Sequence, residues 1–160
     1  MKEAKADTTQ GRPLEGLRVI VAEDDPDMRQ LLAEILRRDG CAVTEANEGG
    51  HLLAILEMDR QDFPADVVDL LITDVRMPTG NGLVIVGALR DAGWKQPVIA
   101  MTAFSDASVK NEAKRVGATL LDKPFRMDVL RELVRGFFES SRTSGVRGVS
   151  KRPGGSFRPS

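Results

Sequence analysis

Five side chains in this 160-residue chain are of the types that handle phosphate and a divalent cation: Glu23, Asp24, Asp74, Thr102 and Lys123. They are scattered over a hundred positions, so only the fold could bring them together. Three crowded carboxylates repel, and each is costly to keep ionised alone. A divalent cation resolves that cost. An all-oxygen ligand set suits Mg²⁺, which keeps waters and shares its shell with phosphate. A lysine and a threonine beside it would bind phosphoryl oxygens. An aspartate at the focus could be the nucleophile that takes the phosphoryl group as an acyl phosphate.

Each of the five stands at the end of a short apolar run. Leu17–Ala22, Cys41–Ala46, Val67–Thr73, Pro97–Thr102 and Thr119–Leu121 read as strands. Between and after them lie helical patterns. Met28, Leu31, Leu32, Ile35 and Leu36 recur at helical spacing behind Asp25 as cap and Pro26 in the first turn. Gly49–Met58 and Gly82–Ala92 follow. A fourth helix starts from Ser105 as cap and closes at Gly117, and a fifth spans Arg126–Phe138. Strand and helix alternate five times. That order predicts an α/β fold: a doubly wound, five-stranded parallel sheet flanked by five helices. Such sheets hold their ligands at the carboxyl ends of the strands. The predicted strands end at Glu23-Asp24, Asp74, Thr102 and Asp122-Lys123, so the five candidates share one rim.

Composition narrows the function classes. Lys and Arg number 23 against 24 Asp and Glu, which excludes a uniformly basic nucleic-acid binder. One cysteine, Cys41, excludes an internal disulfide and a cysteine-based zinc cluster. One histidine, His51, excludes any mechanism that needs two, and its expected place is an exposed position near the start of the second helix. Cys41 reads as a small buried hydrophobe, and Trp94 as a cover for the end of the third helix. The longest unbroken apolar stretch is Gly82–Leu89, far short of the ~20 residues that cross a bilayer. No signal-peptide pattern is visible, so the expected location is the cytoplasm. Residues 140–160 hold Arg142, Arg147, Lys151, Arg152 and Arg158 and no acid. The expected organisation is a disordered segment over 1–15, one folded domain over 16–139 and a disordered basic tail over 140–160. That tail is the one region whose charge could contact phosphates or an acidic partner.

Val21-Ala-Glu-Asp-Asp-Pro26, Asp74-Val-Arg-Met-Pro-Thr-Gly-Asn-Gly82, Met101-Thr-Ala103 and Lys123-Pro-Phe125 together resemble the motifs of the bacterial two-component response-regulator receiver domain. The resemblance covers residues 16–139. It implies a flavodoxin-like receiver fold and a stand-alone module, since only 21 residues follow Glu139. It implies that Asp74 accepts a phosphoryl group with Mg²⁺, and that Glu23, Asp24, Asp74 and the backbone carbonyl of Arg76 hold the metal. Thr102 and Lys123 would bind the phosphoryl group, and the Lys123-Pro124 bond would be cis. Arg76 and Phe104 occupy positions that in the family tune the lifetime of the acyl phosphate. Leu120 occupies a switch position that is often Tyr or Phe. The implied donor is a sensor histidine kinase or a phosphotransfer protein, and the implied output is a surface change read by a downstream protein. The resemblance leaves homodimerisation open and implies no membrane partner. It also implies a signalling module rather than an enzyme, with at most slow self-dephosphorylation. Two other readings stand beside it. One is a receiver-like adaptor that works without phosphorylation, favoured by Leu120. The other is an aspartate-nucleophile phosphatase of the haloacid-dehalogenase type, opposed by Arg76 where that family carries a second aspartate.

Overall fold

The computed structural model describes residues 14–58 and 68–144. Five strands form one parallel sheet: β1 (Arg18–Ala22), β2 (Ala42–Ala46), β3 (Leu70–Asp74), β4 (Val98–Thr102) and β5 (Thr119–Asp122). Their spatial order is β2-β1-β3-β4-β5. The helices are α1 (Pro26–Arg38), α2 (Gly49–Met58), α3 (Gly82–Asp91), α4 (Ala107–Val116) and α5 (Met127–Ser144). The doubly wound fold expected from the alternation is therefore present.

The inner strands β1, β3 and β4 are largely apolar on both faces because both faces are covered. In β1, Ile20 and Ala22 face one core while Val19 and Val21 face the other. The first core also takes Leu71, Val98 and Ala100 from the sheet, Leu52 and Leu56 from α2, Leu83 and Val86 from α3, and Ala113 and Val116 from α4. The second takes Leu70, Ile72, Ile99 and Met101, with Leu32 and Leu36 from α1 and Leu130 and Val134 from α5. β3 and β4 are buried at every position, so they form the centre of the sheet.

Several boundaries move from their expected places. The fourth helix is capped by Asp106, not Ser105: the Asp106 carboxylate accepts from Val109 N at 2.9 Å. Either residue type can cap, and the carboxylate one residue later takes the bond. β3 is described from Leu70, the expected centre of that strand, and Asp74 ends it as expected. Leu14, expected in the N-terminal segment, is fully buried in the second core, and its N–H donates to Asp39 O at 2.8 Å. α5 continues to Ser144, past the expected end at Phe138 and across the expected domain limit at Glu139. The expectations for residues 1–13 and 145–160 lie outside the described residues. No helix among the described residues is long and apolar enough to cross a membrane.

Candidate functional site

The order β2-β1-β3 reverses direction between β1 and β3, and α/β sheets open a crevice at such a switch point. Glu23 and Asp24 follow β1, and Asp74 ends β3 beside them. One carboxylate oxygen from each lies within 4.8 Å of the others. Glu23 and Asp74 are buried while Asp24 is exposed, so the triad opens to solvent on the Asp24 side. The donor set is all oxygen and fits Mg²⁺.

Lys123 reaches this triad from the end of β5, a hundred residues from Glu23. Its Nζ donates to Glu23 Oε1 at 2.8 Å and to Asp74 Oδ2 at 3.2 Å. Burial alone would lower the Lys123 pKa, but the hydrogen bond to Glu23 and the charges of Asp74 and Glu23 outweigh it, and the net shift is upward. Lys123 is thus held charged. Asp74 goes the other way. Burial and then the Glu23 charge raise its carboxyl to about 6, against the opposing pull of Lys123. One ammonium does not offset three crowded acids, which is the electrostatic case for a cation here.

Thr102 ends β4, one residue beyond Met101, the register partner of Asp74, and is buried. Its hydroxyl accepts from Phe104 N at 3.0 Å and donates to Phe104 O at 3.1 Å. Lys123 N donates to Thr102 O at 2.8 Å, and the Lys123-Pro124 peptide is cis. The structure therefore brings Glu23, Asp24, Asp74, Thr102 and Lys123 to one rim. Phe104 and Arg76 stand beside them. The Arg76 guanidinium carbon lies 5.9 Å from the Phe104 ring centroid, and the ring is 66% exposed. Leu120 is half-buried in the first core rather than at the rim.

The loop after Asp74 is a two-residue hairpin pairing Arg76 with Asn81 and Met77 with Gly80. Asn81 caps α3 by accepting from Leu83 N at 2.8 Å. A Cβ on Gly82 would collide with Asp74 O, so the loop closes against the end of β3 only because that residue has no side chain.

Other sequence readings are met away from the rim. Asp25 is the cap of α1, accepting from Asp27 N at 3.0 Å, not a member of the triad. His51 is exposed at the start of α2, within 3.2 Å of Asn47 Oδ1. Cys41 is buried, and burial, then the Asp39 charge, push its thiol up to about 12, which makes it inert. Trp94 is fully buried with Arg90 over its ring, in the loop that enters the amino end of β4, whereas the rim lies at the strands' carboxyl ends.

Sequence reasoning missed Arg29. Its Nη1 donates to Glu23 O at 2.9 Å while its Nε pairs with Glu45 at 3.2 Å. It ties the acidic loop to α1 and to β2. Its place on the inner flank of α1 is the only hint the sequence carries, and an arginine there is more often a solvated charge.

Asp24 is the exposed member of the triad, so its loss leaves the buried pair with Lys123 intact. Asp24→Asn is expected to weaken Mg²⁺ binding several-fold, measured by titration calorimetry. An unchanged affinity would remove Asp24 from the ligand set.

Known proteins are similar to this chain in sequence and in fold. The family model for the response regulator receiver domain matches residues 19–135. A 14.6 kDa protein of the sodA1 3' region in Leptolyngbya boryana is 36% identical over 120 residues, covering 73% of this chain and 84% of that protein. The sensor protein EvgS of Escherichia coli K12 is 35% identical over 130 residues, covering 81% of this chain but 10% of EvgS. The transcriptional regulatory protein YbdJ of Bacillus subtilis is 30% identical over 112 residues, covering 70% of this chain and 46% of YbdJ. The chain thus spans less than half of these two longer relatives. Among solved structures, the chemotaxis protein CheY4 of Vibrio cholerae superposes with a TM-score of 0.65 at 29% identity, covering 76% of this chain and 98% of that one. The N-terminal domain of the Wolinella succinogenes protein WS1339 gives 0.70 at 28% identity, covering 81% and 99%. Matched over residues 19–135 by the family model and similar in fold to solved proteins over three quarters of its length, this chain belongs to the response regulator receiver domain family.

Proposed function

We propose that the chain is a phosphorylation-dependent signalling module whose acceptor is Asp74. The observation that carries this reading is the position of Lys123 Nζ, bonded at once to Glu23 at 2.8 Å and Asp74 at 3.2 Å, beside a carboxylate triad within 4.8 Å. Receiver domains are signalling modules rather than typical enzymes, and relatives include the sensor proteins EvgS and RcsC. The proposed donor is a phosphohistidine on a sensor kinase or phosphotransfer protein in the cytoplasm.

An Asp74 carboxylate oxygen attacks phosphorus; the new P–O bond forms as the P–N bond to the donor imidazole breaks, and the imidazole leaves with a proton from solvent. Mg²⁺, when bound by Glu23, Asp24, Asp74 and the Arg76 carbonyl, would neutralise charge on the phosphoryl oxygens. Lys123 stays charged and is placed to exchange its bond to Asp74 for one to a phosphoryl oxygen. The Thr102 hydroxyl, now turned to Phe104, is the neutral donor available to a second oxygen. The complete set of groups argues against an adaptor that has lost the chemistry. Arg76, stacked on Phe104, cannot serve as the acid/base of a phosphatase.

The test is incubation with acetyl phosphate and Mg²⁺, read by intact mass. The expected result is a gain of one phosphoryl group that requires Mg²⁺ and disappears in Asp74→Asn. Labelling that persists in that variant overturns the assignment.

A further inference from the structure

The tip of the hairpin after Asp74 sits on the first turn of α2. The first N–H groups of any helix have no partner within it. In α2 two of them find partners in the hairpin: Gly49 N donates to Pro78 O at 3.0 Å, and Gly50 N donates to Thr79 Oγ1 at 2.7 Å. The two backbones touch. A Cβ on Gly49 would lie 2.6 Å from Gly80 Cα and 2.7 Å from Gly80 N. Gly49 is buried at this contact, while Gly50 and Thr79 are exposed.

Thr79 makes this joint at a conformational cost. Its φ is +62°, the left-handed region that a β-branched residue rarely adopts. Glycine or asparagine would sit there without that strain. A strained residue persists where its surroundings need its side chain, and here the side chain is the acceptor for Gly50 N.

The hairpin is fixed at its base by Gly82 N donating to Val75 O and by Val75 N donating to Met101 O, both at 2.8 Å. At its tip the joint to α2 fixes it. Arg76 lies between, one hairpin pair from the tip.

We infer that Thr79 is a positioning residue of the acceptor site: its hydroxyl caps α2 from 29 residues away and so holds the Arg76 backbone in place against Asp74, Glu23 and Asp24. This rests on the reading of that site as a Mg²⁺-dependent phosphoacceptor. Loss of the hydroxyl leaves every carboxylate, Lys123 and Thr102 untouched. It loosens the hairpin that carries the Arg76 carbonyl, so the effect falls on the metal rather than on the transfer step.

The experiment compares the full chain with Thr79→Val, Thr79→Gly and Thr79→Ser. Mg²⁺ affinity is measured by titration calorimetry with MgCl₂ alone, and acetyl phosphate labelling is followed across Mg²⁺ concentrations. Thr79→Val and Thr79→Gly are expected to weaken Mg²⁺ binding about fivefold (about 1 kcal/mol) and to shift the Mg²⁺ half-saturation of labelling equally. The labelling rate at saturating Mg²⁺ stays within twofold of the original, and Thr79→Ser restores both values. Thr79→Gly relaxes the backbone, so it keeps the test decisive if Thr79→Val fails to fold. Unchanged Mg²⁺ affinity in Thr79→Gly, or a Thr79→Ser variant as weak as Thr79→Gly, overturns the inference. A chain that binds Mg²⁺ but is never labelled on Asp74 overturns the functional reading instead, and the affinity comparison still decides the role of Thr79. A chain that binds no Mg²⁺ overturns both.

Discussion

In metal-free solution, Asp74→Asn is expected to be more stable than the unsubstituted protein by about 2 kcal/mol at pH 7. The reason is linkage. Burial and the Glu23 charge hold the folded Asp74 carboxyl at about 6, above its ordinary 3.8. The folded state therefore binds this proton more tightly than the unfolded state does. Well below 3.8 both states are protonated and the group is neutral in the balance. Between about 4 and 6 the unfolded chain has released the proton and the folded chain has not, so stability falls as pH rises. Above 6 the full cost of the buried carboxylate is present. Asparagine removes that charge while Lys123 keeps its shorter bond to Glu23. The stability gap between the two proteins should be small at pH 4 and widen across the window to pH 6. Mg²⁺ should close it from the other side, because a ligand of the folded state stabilises only the protein that binds it. Chemical denaturation at pH 4, 6 and 7 measures the gap. A variant that is no more stable at pH 7, or a gap that does not change with pH, would show that Asp74 is not electrostatically frustrated.

The rim was legible in the sequence because each of its residues ends an apolar run, and parallel sheets gather strand ends. Glu23, Asp24, Asp74, Thr102 and Lys123 followed from that rule alone. The two cores were legible for the same reason: with period-2 alternation, Val19 and Ile20 must face opposite layers. Three things were not. The Asp106 cap lost to Ser105 in the sequence reading because both residues cap and one position decides the geometry. Arg29 was invisible because its target is a backbone carbonyl, which has no sequence signature. The joint between α2 and the acceptor hairpin was invisible because it is made of Gly49, Gly80 and a threonine hydroxyl. Glycines there read as turn residues, and only the packed backbone shows two of them in contact.

Replacing Phe104 is expected to shorten the life of the phosphorylated state at least tenfold, a change that needs only about 1.4 kcal/mol of barrier. Hydrolysis requires a water in line with the Asp74–phosphorus bond, opposite the leaving carboxylate oxygen. Phe104 is fastened near that path, since its N–H and C=O both bond the Thr102 hydroxyl at the rim. Its ring offers the water no hydrogen bond. It also holds the Arg76 guanidinium at 5.9 Å, a contact worth roughly 0.5–1 kcal/mol at an exposed site. Arginine cannot take a proton from water at neutral pH, so neither partner of the stack can activate the nucleophile. A Phe104→Asn or Phe104→Glu substitution removes the ring, frees Arg76 and supplies an acceptor that can orient the water. Neither changes a triad carboxylate or Lys123, so labelling of Asp74 should proceed as before. The decay of the labelled mass after removal of acetyl phosphate separates lifetime from labelling. Arg76→Ala serves as the control for the stack: it loses the guanidinium but leaves the ring, and should shorten the lifetime less than Phe104→Glu does. A decay that is unchanged or slower in both Phe104 variants would mean that the exposed ring stands clear of the water's approach, and the lifetime would then have to be set by groups nearer to Asp74.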